Sequence, residues 1–188
     1  MKSLVDHLSN YATYHRDRRN IATHFVGIPM IVLGITVLLA RAAWDWHGVP
    51  VNLAAVCAAL SCAYYLRLDL RYGAVMTALL AAAVAVSMEI AALPFAAWLS
   101  AGIGLFVVGW VFQFVGHVFE GRKPAFVDDL MGLIIGPLFV LAEAGFLVGR
   151  RTGPLASIRP RADPVGHEAR IMKPTANTPT MPAAEIMK

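Results

Sequence analysis

This chain carries little charge. Only 15% of its 188 residues are Asp, Glu, Lys or Arg, while 58% are hydrophobic. A soluble domain usually has about 25% charged and about 45–50% apolar residues. That composition excludes a disordered chain and a nucleic-acid-binding tail protein. Cysteine is scarce as well. Cys57 and Cys62 lie five apart inside an apolar run, which excludes a disulfide-stapled module and a C-x-x-C pair, and the two thiols read as small buried hydrophobes. No cleavable signal peptide is expected. The first 24 residues are polar, with Asp6, Arg16, Asp17, Arg18 and Arg19, and lack an apolar core segment. There is no phosphate loop, no Ser-His-Asp arrangement, no H-E-x-x-H and no basic face with interleaved aromatics. What remains is a small polytopic membrane protein.

The net charge of +4 is unevenly placed. Residues 1–24 hold four Lys/Arg and two Asp, residues 25–148 five Lys/Arg and seven Asp/Glu, and residues 149–188 seven Lys/Arg and three Asp/Glu. The basic excess flanks the apolar body, as for a chain that meets anionic lipid headgroups.

Residues 3–15 read as a short amphipathic helix with Leu4, Leu8, Tyr11 and His15 on one face. Asn20 is placed to cap the next helix. Five apolar segments follow: Phe25 to Leu39, Val49 to Leu66, Gly73 to about Leu93, Phe95 to about Val115, and Met131 to Val148. A span needs about 20 residues, so the first must begin near Asn20. Pro29 is expected to kink it. Trp44, Trp46, Tyr64 and Tyr65 sit at the edges of the second segment, where interfacial aromatics belong. Gly102-x-Gly104 reads as a close-packing site between helices. The expected fold is therefore all-α: a membrane helix bundle of four to five apolar segments with a short N-terminal amphipathic helix. Residues 1–148 form one membrane-embedded domain, and 149–188, with six prolines, a disordered basic tail.

Positive charges set the expected topology. Arg16, Arg18 and Arg19, then Arg67 and Arg71, then Arg122 and Lys123 share one side, which the positive-inside rule makes the cytoplasm. The basic tail conflicts with a fifth full span, so 131–148 either crosses against the rule, or is re-entrant or paired as a hairpin broken at Gly136-Pro137.

Of six histidines, His15, His24 and His117 fall at the same membrane face on this topology. Each read singly is a polar anchor. Together, three imidazoles can hold one divalent transition metal and leave positions open for substrate or oxygen. Gln113, His117 and Glu120 lie on one helix face, and polar residues at membrane depth are costly and usually functional. Glu120 can ligate, or orient an imidazole from behind. Asp128 and Asp129 read equally as helix caps. Glu143 is either a buried partner for Arg or His or the marker of a tilted helix end. His7, His47 and His167 read as solvated or interfacial.

Two stretches carry a family resemblance. The first is Tyr14-His15, four residues, Asn20, three residues, His24, two residues, Gly27, one residue, Pro29. The second is Gly109-Trp110-Val111-Phe112-Gln113-Phe114-Val115-Gly116-His117, then Glu120, Arg122, Pro124-Ala125 and Asp128. Together they resemble the small membrane-protein family that includes the fungal endoplasmic-reticulum 2-hydroxy fatty acid dioxygenase. The resemblance covers roughly residues 10–148 and leaves out the tail.

It implies Fe(II)-dependent α-oxidation of a long-chain 2-hydroxy fatty acid by dioxygen, giving the fatty acid one carbon shorter. In fungi that reaction serves degradation of a sphingolipid long-chain base. Carried over, His15, His24 and His117 are the metal ligands. Gln113, Glu120 and Asp128 become candidates for contact with substrate or ligand, and Tyr14 and Asn20 match motif positions without an assigned role. The alanine- and arginine-rich character looks bacterial, so the expected location is the inner membrane with the histidines facing the cytoplasm. The implied partners are the bilayer, the 2-hydroxy acid and dioxygen, with no nucleic acid. Two other readings stand beside this one: a non-catalytic membrane scaffold, and a different metal-dependent lipid enzyme such as a Zn(II) hydrolase.

Overall fold

The computed structural model describes residues 3–121 and 131–147. The chain runs α1 (Leu4–Ala12), α2 (Arg18–Ala40), β1 (Ala43–Trp46), β2 (Val49–Asn52), α3 (Leu53–Leu68), α4 (Leu70–Ala91), α5 (Phe95–Glu120) and α6 (Met131–Leu147). Asp128, Arg122, Lys123 and the tail from 148 lie outside the described residues.

Local chemistry starts most of the helices. Ser3 and Asp6 form a reciprocal capping box on α1. Asn52 accepts from Ala55 N at 2.8 Å to start α3, and Asp69 accepts from Arg71 N and Tyr72 N at 2.9 Å to start α4. The cap of α2 is Asp17, which accepts from Arg19 N at 2.8 Å, and not Asn20. The reason is positional: a carboxylate lies three residues earlier, and the Asn20 side chain is drawn to a partner on another helix.

A second difference lies between α2 and α3. Trp44 and Trp46 do not simply edge a helix; they belong to an antiparallel ribbon pairing Trp44 with Val51 and Trp46 with Val49. His47 and Gly48 make its two-residue turn, with φ of 53° and 82°, the positive-φ pair that matches the strand twist. The ribbon takes four residues from the second apolar run, leaving α3 only 16 residues.

Among the described residues, three helices are long and apolar enough to cross a membrane: α2, α4 and α5. Helices α3 and α6 are apolar but shorter. Pro29 and Pro137 lie inside continuous helices, so Gly136-Pro137 does not break α6 into a hairpin. The burial pattern suits lipid: Leu60, Leu70, Phe95 and Val118 are 60–78% exposed, an arrangement that only an apolar surround stabilises. The amphipathic face of α1 does not lie free. Leu4, Leu8 and Tyr11 pack against Ile135, Leu138 and Phe139 of α6, joined by Tyr65, Met76 and Leu80.

Helices α2 and α5 pack antiparallel along a glycine seam. Gly27 and Gly34 are seven residues apart on α2, as are Gly102, Gly109 and Gly116 on α5. A Cβ on Gly109 would stand 2.9 Å from the Gly27 carbonyl oxygen, and one on Gly34 2.7 Å from Phe106 N. Such contacts let backbones approach and gain dispersion where no water drives association. Gly102 belongs to the seam, but Gly104 meets nothing within 4 Å, because residues two apart on a helix face nearly opposite ways. At one end of this pair, Ser87 Oγ donates to Thr36 Oγ1 (2.8 Å) and Trp98 Nε1 donates to the Val37 carbonyl (2.7 Å). At the other end lie His24, just ahead of Gly27, and His117, just after Gly116.

Candidate metal centre

His15 comes from the loop after α1, His24 from the second turn of α2 and His117 from the last turn of α5. All three are buried, at 4%, 1% and 6% exposure. One ring nitrogen from each falls within 4.8 Å of the others. The ring centroids are 4.5–5.1 Å apart and the planes cross at 67–80°, so the three rings meet edge-on.

The hydrogen bonds define the tautomers. His15 Nδ1–H donates to the Tyr11 carbonyl and His24 Nδ1–H to the Asn20 carbonyl, each at 2.8 Å and each four residues back. A carbonyl only accepts, so both protons are on Nδ1 and both Nε2 lone pairs are free. Those two Nε2 atoms face each other at 3.0 Å. Two facing lone pairs repel unless a cation lies between them. Burial pushes the His15 imidazole down to about 4, with the Tyr11 carbonyl opposing the effect and His117 adding to it, so the neutral ring, with a lone pair to offer, is favoured. Neutral imidazoles whose outer N–H groups are held by carbonyls are the arrangement metal-binding histidines use. The donor set therefore fits one divalent transition metal.

Glu120 does something the sequence did not disclose. Its carboxylate accepts from Arg16 N (2.9 and 3.0 Å), Asp17 N (2.8 Å) and Asn20 Nδ2 (3.0 Å). It ties the end of α5 to the start of α2 and to the loop that carries His15. Its carboxylate is spent on these three donors and stands outside the cluster of imidazole nitrogens. Asn20 is the relay: its side chain reaches Glu120 while its carbonyl accepts from His24 Nδ1 and Thr23 Oγ1. Anionic charge at a helix N-terminus also stabilises the helix. Gly116 makes this approach fit, since a Cβ there would collide with Thr23 Oγ1 and stand 2.5 Å from Asn20 Oδ1.

Sequence reasoning missed Tyr11 as part of the site. Its ring stacks on His15 at 4.1 Å and 4°, backed by Phe139, and burial raises its hydroxyl pKa. The signal was present: Tyr11 precedes His15 by four residues as Asn20 precedes His24. Tyr14 is half-buried beside the α1 core. Arg19 pairs with Asp17 at 2.9 Å and lies over the Phe119 ring, while Arg16 and Arg18 are exposed. Glu143 is buried on α6, Glu89 and His47 are exposed, and His7 is half-buried. A cavity of about 90 Å³ opens beside the histidines between α2, α5 and α6, lined by His117, Gln113, Tyr11 and otherwise mainly by apolar side chains.

Fold and site together define a class: a small helical protein with three helices long and apolar enough to cross a membrane and three buried histidines converging at one end. Residues 1–147 match the family described as 2-hydroxy-palmitic acid dioxygenase Mpo1-like, and the chain belongs to that family. It is 33% identical over 150 residues to the 2-hydroxy-palmitic acid dioxygenase MPO1 of Saccharomyces cerevisiae, covering 78% of this chain and 82% of the yeast protein. No solved structure matches it.

Proposed function

We propose that this chain is a membrane-embedded Fe(II)-dependent dioxygenase that converts a long-chain 2-hydroxy fatty acid to the fatty acid one carbon shorter. The convergence of three buried imidazoles beside a largely apolar cavity carries this reading, and the yeast relative's name supports the substrate class. The reaction balances without another reductant. A 2-hydroxy acid and dioxygen give the shortened acid, carbon dioxide and water; the substrate supplies all the electrons that dioxygen accepts.

His15, His24 and His117 hold the metal, which supplies a site where the 2-hydroxy acid and dioxygen meet and are activated. The protein's own contributions are positional. The Tyr11 and Asn20 carbonyls hold protons on the outer imidazole nitrogens, so that Nε2 of His15 and of His24 points inward. Glu120 fixes the loop and helix start on which two of the three rings depend. Tyr11 and Phe139 wall the His15 ring, and the cavity between α2, α5 and α6 receives the alkyl chain. The proposed setting is a bacterial inner membrane with this end toward the cytoplasm, where Arg16 and Arg18 attract the carboxylate.

The test is incubation of detergent-purified, Fe(II)-reconstituted protein with 2-hydroxypalmitic acid, with and without air, followed by mass spectrometry for the fifteen-carbon acid. Product that needs both iron and oxygen, and that vanishes in His117→Ala, is expected. Lipid hydrolysis with Zn(II) and no oxygen would replace this reading with a hydrolase. Absence of both product and bound metal would leave a scaffold.

A further inference from the structure

Gln113 is 6% exposed on α5. Its Nε2 is buried and has no hydrogen-bond partner among the described residues. An amide N–H left unsatisfied away from water is costly, so a position that keeps one has another use for it. The amide lies over Gly27 of α2, where a Cβ would stand only 2.6 Å from Nε2. It also lines the cavity that reaches His117. Four residues separate Gln113 from His117, which puts it about 6 Å deeper along α5.

The rest of that cavity tells which way a ligand lies. Its α2 wall runs from Ile28 through Ile31 and Val32 to Ile35, about 10 Å at 1.5 Å per residue. Across from it stands Leu133 of α6. Ile35 and Leu133 are 40% and 47% exposed, so this end faces the lipid-facing surface. The cavity is thus polar at the histidine end, apolar along its length and open toward the surround. An amphiphile whose head reaches the histidines and whose chain leaves sideways between α2 and α6 fits that gradient.

We propose that Gln113 is the substrate-orienting residue of this site: its amide N–H donates to the carboxylate of the fatty acid, while the chain runs past Ile35 and Leu133 into the bilayer. The proposal rests on the dioxygenase reading. A donor buried in a dry site strengthens an ionic hydrogen bond, and its loss costs about 10–100-fold in affinity.

Binding is measured on the metal-loaded protein in nanodiscs under argon, so that no turnover occurs. The probes are 2-hydroxypalmitic acid and 1,2-hexadecanediol, which keeps the chain and hydroxyl but lacks the carboxylate. Gln113→Met retains the length of the side chain and removes the donor. Gln113→Glu retains the shape and sets a carboxylate against the ligand's. Both variants should keep their metal and lose about 10–100-fold for the acid, with the diol unaffected. Equal weakening toward acid and diol, or none, in metal-replete Gln113→Met overturns the assignment and leaves Gln113 as packing over Gly27. If Gln113→Met does not fold, Gln113→Glu decides by the same comparison. If the unaltered protein itself binds no 2-hydroxy acid, the dioxygenase reading fails and the assignment with it; if it binds and oxidises the acid while the variants match it, only the assignment fails.

Discussion

His15 and His24 present their Nε2 atoms to each other at 3.0 Å, with both outer N–H groups already given to backbone carbonyls. As neutral imidazoles, neither ring can donate to the other without abandoning its carbonyl. The pair can share a cation, and His117 stands at the third corner.

Purified protein should therefore carry a divalent metal at close to one per chain, measured by elemental mass spectrometry. Alanine at His15, His24 or His117 should each weaken metal affinity by more than the 10–100-fold that loss of an outer partner typically gives. Full metal content in all three variants would rule out the centre.

Glu120 should matter without being a ligand. Glu120→Ala leaves the N–H groups of Arg16 and Asp17 and the Asn20 amide without their carboxylate, and should lower stability by about 1–3 kcal/mol. Metal affinity should drop about 10–100-fold through the loosened His15 loop. Glu120→Gln, which keeps an acceptor oxygen, should fall between. A melting curve in detergent with a parallel metal titration reads both, and an Ala variant unchanged in each would show that the clamp is incidental.

The glycine seam predicts a contrast between two substitutions on one helix. Gly116→Ala drives a methyl into Thr23 and Asn20, while Gly104→Ala meets nothing within 4 Å. The first should lose metal binding or fold poorly. The second should melt at or slightly above the parent temperature, since Ala favours the helix. Similar behaviour of the two would mean that α2 and α5 do not approach as described.

At the opposite end, Ser87→Ala should cost about 0.6–1.7 kcal/mol, the range of a hydrogen bond between membrane helices. Metal content should stay unchanged, because Ser87 bonds Thr36 and not the histidine end. Denaturation in mixed micelles gives the energy; a double-mutant cycle with Thr36→Val showing no coupling would remove the bond from the account.

The helical character, the amphipathic face of Leu4, Leu8 and Tyr11, and the shared end of His15, His24 and His117 were legible in the order of residues. Helical periodicity and short connections dictate which residues share a face and which ends meet. The ribbon around His47 and Gly48 was hidden because Val49 to Asn52 continues into an apolar helix.

What the tertiary structure alone decided is what lies across each face. Glu120 grips Arg16, Asp17 and Asn20 from 100 to 104 positions away, a pairing that no local spacing encodes. Asn20 became a relay and not a cap because that carboxylate reached it, and Gln113 kept an unmatched N–H because Gly27 left room for it but offered no acceptor. Periodicity sets direction around one helix axis. The distance and rotation between two axes come from close packing along the glycine seam, and that packing turned three separate histidines into one centre.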